Sequence, residues 1–251
     1  MLADSSLLNS SHDSGVALYD PLDDISHDNF WIFGYGSLIY KPPPDVELAV
    51  PGFITGYVRR FWQKSHDHRG TPAAPGRVVT LLERTYWETL QDAHAPYEYD
   101  GNSDGRTWGI AYKIIAEKVQ SVSAALDLRE KNGYTVHFVP FHPSREFISQ
   151  TCLPPEISAI VYIGTPSNFA FAGVEDPDYV ARLIFESTGP SGTNVEYLYR
   201  LGEALEHLHG SDISASEYHV ADLIKRVKKL ELKSKQPLDS FEDFDSPAAL
   251  S

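Results

Sequence analysis

Cysteine is almost absent: Cys152 is the single one in 251 residues. No intrachain disulfide is possible, and no cysteine-based zinc site can be assembled. Long hydrophobic runs are missing as well. No stretch approaches the roughly 18 consecutive apolar residues that cross a bilayer, and the N-terminus has no basic region leading into an apolar one. The chain is therefore expected to be soluble and cytoplasmic, with no membrane partner. Positive charge is scarce too, with 21 Lys and Arg against 35 Asp and Glu and a net charge of −14. That deficit is concentrated at the ends. Residues 1–30 carry six Asp and no Lys or Arg, and residues 236–251 carry four acids and no base, so ten of the fourteen net charges lie there. Without a broad basic face to neutralise phosphates, a nucleic-acid partner is not expected. The basic residues that do cluster lie between Lys41 and Arg77, where they suit a local anionic ligand.

What is present is enough apolar residue, 42% of the chain, to bury one sizeable core. Residues 1–28 are rich in Ser and Asp without periodicity and read as a disordered acidic leader. Residues 233–251 read as a matching tail, leaving 29–232 as a single domain. Strand patterns occupy Trp31–Tyr35, Gly52–Trp62, Val78–Glu83 and Thr107–Ile114, all rich in β-branched and aromatic residues. Residues 84–106 look like a long polar loop between two of these. A helix is expected from about Ala116, with Val119, Val122 and Leu126 at helical spacing and Asn132-Gly133 as its stop. Strands return at Tyr134–Phe141 and Ile157–Ile163. Helices follow at Pro177–Ser187, Asn194–His209 and Ser216–Leu232, the middle one with a core stripe of Tyr197, Leu201, Leu205 and Leu208. Strands interrupted by one helix and followed by three give an α+β fold with a strongly curved or barrel-like sheet.

Four places could carry chemistry. Phe33-Gly34-Tyr35-Gly36-Ser37-Leu38 is a glycine-laced turn at a strand end, where backbone N–H groups can approach a carboxylate, phosphate or oxyanion. A second group runs from Arg59-Arg60-Phe61-Trp62-Gln63 through His66-Asp67-His68-Arg69-Gly70 to Pro75-Gly76-Arg77. Its histidines tempt a metal assignment, but no third ligand stands at suitable spacing. The third is Glu130, at the last turn of the expected helix. There the negative end of the helix dipole disfavours ionisation and moves a carboxyl toward the range useful for proton transfer. Pairing with Arg129 or Lys131 is the plain alternative. The fourth is Gly189-Pro190-Ser191-Gly192-Thr193-Asn194, a turn into a helix. Ser37 lacks the setting of a serine nucleophile, and Cys152 has no activating neighbour.

Taken together, these segments resemble the ChaC-type, glutathione-specific γ-glutamylcyclotransferases. The pieces that carry the likeness are Gly34 to Ile39, Arg59 to Gln63, Asp67 to Pro72, Pro75 to Val78, Arg129-Glu130 with Asn132 to Tyr134, Tyr162 to Gly164, and Gly189 to Gly192 with Asn194 and Glu196 to Leu198. They stand in the family's order over about residues 30–230. The resemblance implies a small mixed barrel-like sheet flanked by helices, and cleavage of glutathione to 5-oxoproline and cysteinylglycine with neither metal nor organic cofactor. It puts the catalytic acid/base at Glu130 and the substrate-binding turn at Ile32, Phe33, Gly34, Tyr35, Gly36 and Ser37. Tyr162 and Arg69 are carried over as substrate-binding. Arg59, Arg60, Arg69 and Arg77 stay open between binding the glycyl carboxylate and forming ion pairs. Other γ-glutamyl amino acids or γ-glutamylamines are the alternative substrates, and capture of an acidic metabolite without turnover is the alternative class.

Overall fold

A computed structural model describes residues 29–98, 105–129, 133–209 and 217–235. The first strand, β1 (Trp31–Gly34), is buried at all four positions, as a strand paired on both edges must be. Four others complete a closed barrel: β2 (Val46–Thr55), β5 (Arg106–Ile114), β6 (Thr135–Pro143) and β7 (Ile157–Ile163), in the order β1-β5-β2-β6-β7. All pairings are antiparallel except the closing one, where Ile32 of β1 meets Ile160 of β7 in parallel. The fold is α+β, a small mixed barrel with helices around it.

The expected strand Gly52–Trp62 is two strands. Gly56, at φ 81°, turns the chain in the left-handed region, and the second piece, β3 (Tyr57–Ser65), leaves the barrel to pair with β4 (Gly76–Glu83). Continuous strand propensity hid a corner that one glycine makes. The β3–β4 ladder then slips between Arg60 and Gln63, a bulge on β3. The ladder does not use the Phe61 N–H, which donates instead to Nε2 of His219, 3.0 Å away.

Two hydrophobic faces follow from the alternation along β1. Phe30 and Ile32 join Tyr112, Ile114, Ile160 and Tyr162 under α3 (Val119–Arg129), whose Val119, Val122 and Leu126 supply the facing stripe. Trp31 and Phe33 face the larger core, shared with β4 and the three late helices. These are α5 (Pro177–Glu186), α6 (Asn194–His209) and α7 (Tyr218–Ser234). Asp176 caps α5 by accepting from the Tyr179 N–H, with Pro177 at its first position.

Residues 84–98 are not plain loop. They form two short turns, α1 (Arg84–Trp87) and α2 (Ala95–Glu98), and carry Trp87, Asp92 and His94 into buried positions. There Asp92 accepts from Arg60 Nε at 2.6 Å, Trp87 Nε1 at 2.9 Å and the His94 N–H at 3.0 Å. The expected leader at 1–28 and most of the tail expected at 233–251 lie outside the described residues; Lys233 and Ser234, placed in that tail, instead continue α7.

Candidate active site

The chain leaves β1 at Gly34 and turns at once. The turn is held at three places. Gly36 O accepts the Ile39 N–H, closing a single 3₁₀ turn over Ser37–Ile39. Ser37 O accepts the N–H groups of Tyr40 and Lys41. From the barrel, the Tyr112 hydroxyl donates to Leu38 O at 2.8 Å, and burial pushes that phenol up to about 12, so it stays a donor at any working pH. Gly34 is a steric necessity, and Gly36 is closely hemmed in. A Cβ on Gly34 would stand 2.6 Å from Leu38 Cβ, and one on Gly36 would meet a Val79 methyl and the Tyr197 hydroxyl at 3.0 and 3.1 Å.

This turn forms one wall of a cavity of about 290 Å³, near the lower bound of the roughly 300–1,000 Å³ common for small-ligand sites. Phe33, Tyr35, Gly36 and Ser37 line it from the turn, and Tyr162 lines it from β7. The Tyr35 hydroxyl donates to Tyr162 O at 2.9 Å and ties the two walls together. Arg69 lines the cavity as well, buried under a cation–π contact with Tyr197 at 5.8 Å. Of the expected binding residues, Ile32 and Gly34 are not on the lining. Ile32 is fully buried beneath α3, and Gly34 shapes the turn from behind. Glu130 lies outside the described residues. Description resumes at Gly133, and the next residue, Tyr134, lines the cavity.

The arginines divide more sharply than their spacing indicated. Arg59 pairs with Glu217 and donates to Trp108 O, Arg60 pairs with Asp92, and Arg77 grips Glu175 through two hydrogen bonds of 2.7 Å. All three are buried, and none lines the cavity. Arg69 donates to Glu196 at 2.8 Å and to Thr193 O at 2.9 Å, and its guanidinium draws the Glu196 carboxyl below its ordinary range. It is thus both a cavity wall and half of an ion pair. The cavity's further cationic groups are Lys41 and Lys64.

Among the lining residues to which the sequence assigned no site role are Tyr197, Tyr134 and Gln63. Tyr197 belongs to the core stripe of α6, but its hydroxyl faces the Gly36 side of the cavity; burial raises that phenol well above its ordinary value. Tyr134 and Gln63 were visible only as members of motifs without a role. Among the described residues, no three His, Cys, Asp or Glu converge as metal ligands. His66 instead stacks on Phe169, and Cys152 is an exposed thiol. Nor is any described helix long and apolar enough to cross a membrane.

A closed small barrel whose first strand runs into a glycine turn over a tyrosine-lined cavity is a fold of the γ-glutamylcyclotransferase type. Residues 30–230 match the family model described as ChaC-like protein, and this chain belongs to that family. It is 39% identical over 204 residues to a glutathione-specific γ-glutamylcyclotransferase of Schizosaccharomyces pombe, covering 80% of this chain and 93% of the relative. A Saccharomyces cerevisiae protein of the same name is 40% identical over 209 residues, covering 73% and 89%. A human one, numbered 1, is 34% identical over 209 residues, 82% of each chain. The crystal structure of a yeast γ-glutamyl cyclotransferase specific to glutathione superposes with a TM-score of 0.70 at 39% identity, covering 80% of this chain and 96% of that one.

Proposed function

We propose that this protein is a glutathione-specific γ-glutamylcyclotransferase, a lyase that converts glutathione to 5-oxoproline and cysteinylglycine in the cytoplasm. The observation that carries the reading is the match to relatives of that name over about nine-tenths of their length, combined with the cavity at the glycine turn. The single cysteine, which rules out an intrachain disulfide, is compatible with a reducing compartment.

The reaction is intramolecular. The α-amine of the γ-glutamyl group attacks its own side-chain carbonyl, a five-membered ring closes, and the amide bond to cysteine breaks. Holding the substrate in the folded-back conformer supplies much of the rate, because both reactants are already in one molecule. The amine arrives as an ammonium and must lose a proton before it attacks. Glu130 is assigned that proton and returns it to the departing cysteine nitrogen. The attacking nitrogen sheds a second proton as it becomes the lactam N–H, and that one leaves the released amine as an ammonium, which balances the step. In this reading the Gly36–Ser37 turn receives the substrate's negative oxygens through its backbone. Lys41, Lys64 and the Arg69–Glu196 pair supply the polar wall for the far, glycyl end.

The test is product formation. Purified protein given glutathione should release equal amounts of 5-oxoproline and cysteinylglycine, while Glu130→Gln should release at least about 100-fold less, the lower range for losing a proton-transfer group. No 5-oxoproline from the wild type would sink the reading, and full turnover by Glu130→Gln would sink the assignment of the base.

A further inference from the structure

Gln63 is 1% exposed, and neither its Oε1 nor its Nε2 has a hydrogen-bond partner. Native interiors rarely tolerate this, because a carboxamide shut away from water loses its hydration and receives nothing in exchange. The residue is nevertheless placed with care. The bulge on β3 falls between Arg60 and Gln63 and re-aims the side chain, and a bridge to Phe171 fixes the backbone beyond it. Opposite, Gly164 leaves the space the amide fills: a Cβ there would lie 2.7 Å from Oε1 and 2.9 Å from Nε2. Gln63 also lines the cavity.

A side chain with one unmet acceptor beside one unmet donor is complementary to a ligand that offers a donor beside an acceptor. The amino-acid head of glutathione's γ-glutamyl group does so on one side; its two amides, the scissile γ-amide and the cysteinyl–glycine bond, carry the same pair of groups but point N–H and C=O in opposite directions. Position separates them. The loop that follows Gly164 packs against Gln63 through Phe171, and its Asn168 donates to Gly133 O at 2.7 Å. Gln63 and the Gly133–Tyr134 segment, which follows Glu130 in the chain, therefore share one wall. Gln63 also abuts Gly164, two residues beyond Tyr162, whose carbonyl takes the Tyr35 hydroxyl; on the cyclotransferase reading the glycine turn holds the γ-glutamyl head, so the reacting amine comes to this wall.

We propose that Gln63 reads the amino-acid head of the substrate, Oε1 accepting from the α-amine and Nε2 donating to the α-carboxylate. The proposal rests on the cyclotransferase reading and adds a specificity-determining contact to it. The amide lies just beneath the cavity wall, against Gly164, so a turn of the side chain toward the cavity accompanies binding, and the ligand then completes the hydrogen bonds that the fold leaves open.

The decisive variant is Gln63→Met, similar in volume and without polar demands. Its expected signature is double. Thermal stability should stay level or rise, since an unpartnered amide is replaced by an apolar side chain. Affinity for glutathione, measured by calorimetry in the non-turning-over Glu130→Gln background, should fall about 100-fold for the two lost hydrogen bonds to charged groups. γ-Glutamyl-alanine, which keeps the head and lacks the second peptide bond, should lose affinity by the same factor. Inhibition by cysteinylglycine, which lacks the head, should be unchanged. Should Gln63→Met fail to fold, Gln63→Glu serves instead; it keeps an acceptor, loses the donor, and should bind both γ-glutamyl compounds at least tenfold more weakly. Unchanged glutathione affinity in the folded variant overturns the proposal. So does a loss for glutathione and cysteinylglycine with none for γ-glutamyl-alanine, which would assign the amide to the peptide bond. Wild-type protein that binds glutathione without forming 5-oxoproline would refute the cyclotransferase reading alone, and the binding constants would still decide the role of Gln63.

Discussion

Asp92→Ala should be among the most damaging single changes outside the cavity. Asp92 is buried together with Arg60, and three donors converge on its carboxylate: the Arg60 guanidinium, the Trp87 indole and the His94 backbone. Arg60 lies over the Trp87 ring at 4.9 Å and donates to Arg59 O, so the substitution strips charge compensation from a stacked, solvent-excluded guanidinium. Removing one member of a buried ion pair costs about 3–5 kcal/mol, because the surviving charge stays in a medium that does not solvate it. For a domain of this size that is a fall in melting temperature on the order of 10 °C. The contrast is Lys113 with Glu47, a pair at 2.9 Å whose acid is half exposed and whose loss should cost at most about 1 kcal/mol. Urea unfolding of both alanine variants, followed by tryptophan fluorescence, gives the two numbers side by side. Equal shifts for Asp92→Ala and Lys113→Ala would refute the reasoning, since burial would then not govern the cost. Acid should reproduce the first effect. Burial by itself would raise the Asp92 carboxyl, but the Arg60 charge and the converging hydrogen bonds outweigh it and hold it below its ordinary value. Its contribution is therefore complete above the ordinary carboxylate range and lost as pH falls through the depressed folded value.

Histidine 219 gives a second pH effect in a different window. Its Nε2 accepts from Phe61 N–H, so its Nδ1 carries the proton and donates to Nδ1 of His94, 2.8 Å away, and His94 Nε2 donates to Asp222. Burial first, then Arg60 and His94, push the His219 imidazole well below 6.5. The unfolded chain therefore takes up a proton that the folded one refuses. Stability should fall below about pH 6.5 by roughly 1.4 kcal/mol per pH unit, and His219→Gln should flatten that slope in pH-resolved urea melts. Gly34→Ala forces its methyl against Leu38 and should lower stability by about 1–3 kcal/mol while cutting kcat/KM for glutathione more than tenfold. Wild-type kinetics from that variant would show that the turn can shift without harm. Arg69→Gln removes the partner of Glu196 and should raise KM more than it lowers kcat, which steady-state kinetics would check.

Local pattern was a reliable guide wherever the determining contacts are short in sequence. The burial of β1, the apolar stripe of α3 and the starts of α5 and α6 all follow from alternation, helical spacing and capping residues within a few positions. The order of the glycine turn, the arginine segment and Glu130 along the chain was enough to name the family. It did not say which arginine serves what. Arg59 finds Glu217 and Arg77 finds Glu175, partners 158 and 98 residues away, and no spacing rule connects them. The corner at Gly56 was legible only as a glycine in an otherwise uniform strand, because propensity measures the fit of side chains to a pleated surface and is silent on which sheet receives them.

The sequence by itself determined the class of fold, the single core and the glycine turn, since those depend on periodicity and on the steric freedom of residues adjacent in the chain. Tertiary structure alone decided which polar groups are already spoken for and which are left waiting. Four arginines read alike as candidates, and all four proved to be held in ion pairs; Gln63 read as a motif member without a role and proved to be a buried amide without a partner. The reason is physical: whether a polar group can serve a ligand depends on what else satisfies it, and those partners come from strands and helices that meet only when the chain is folded.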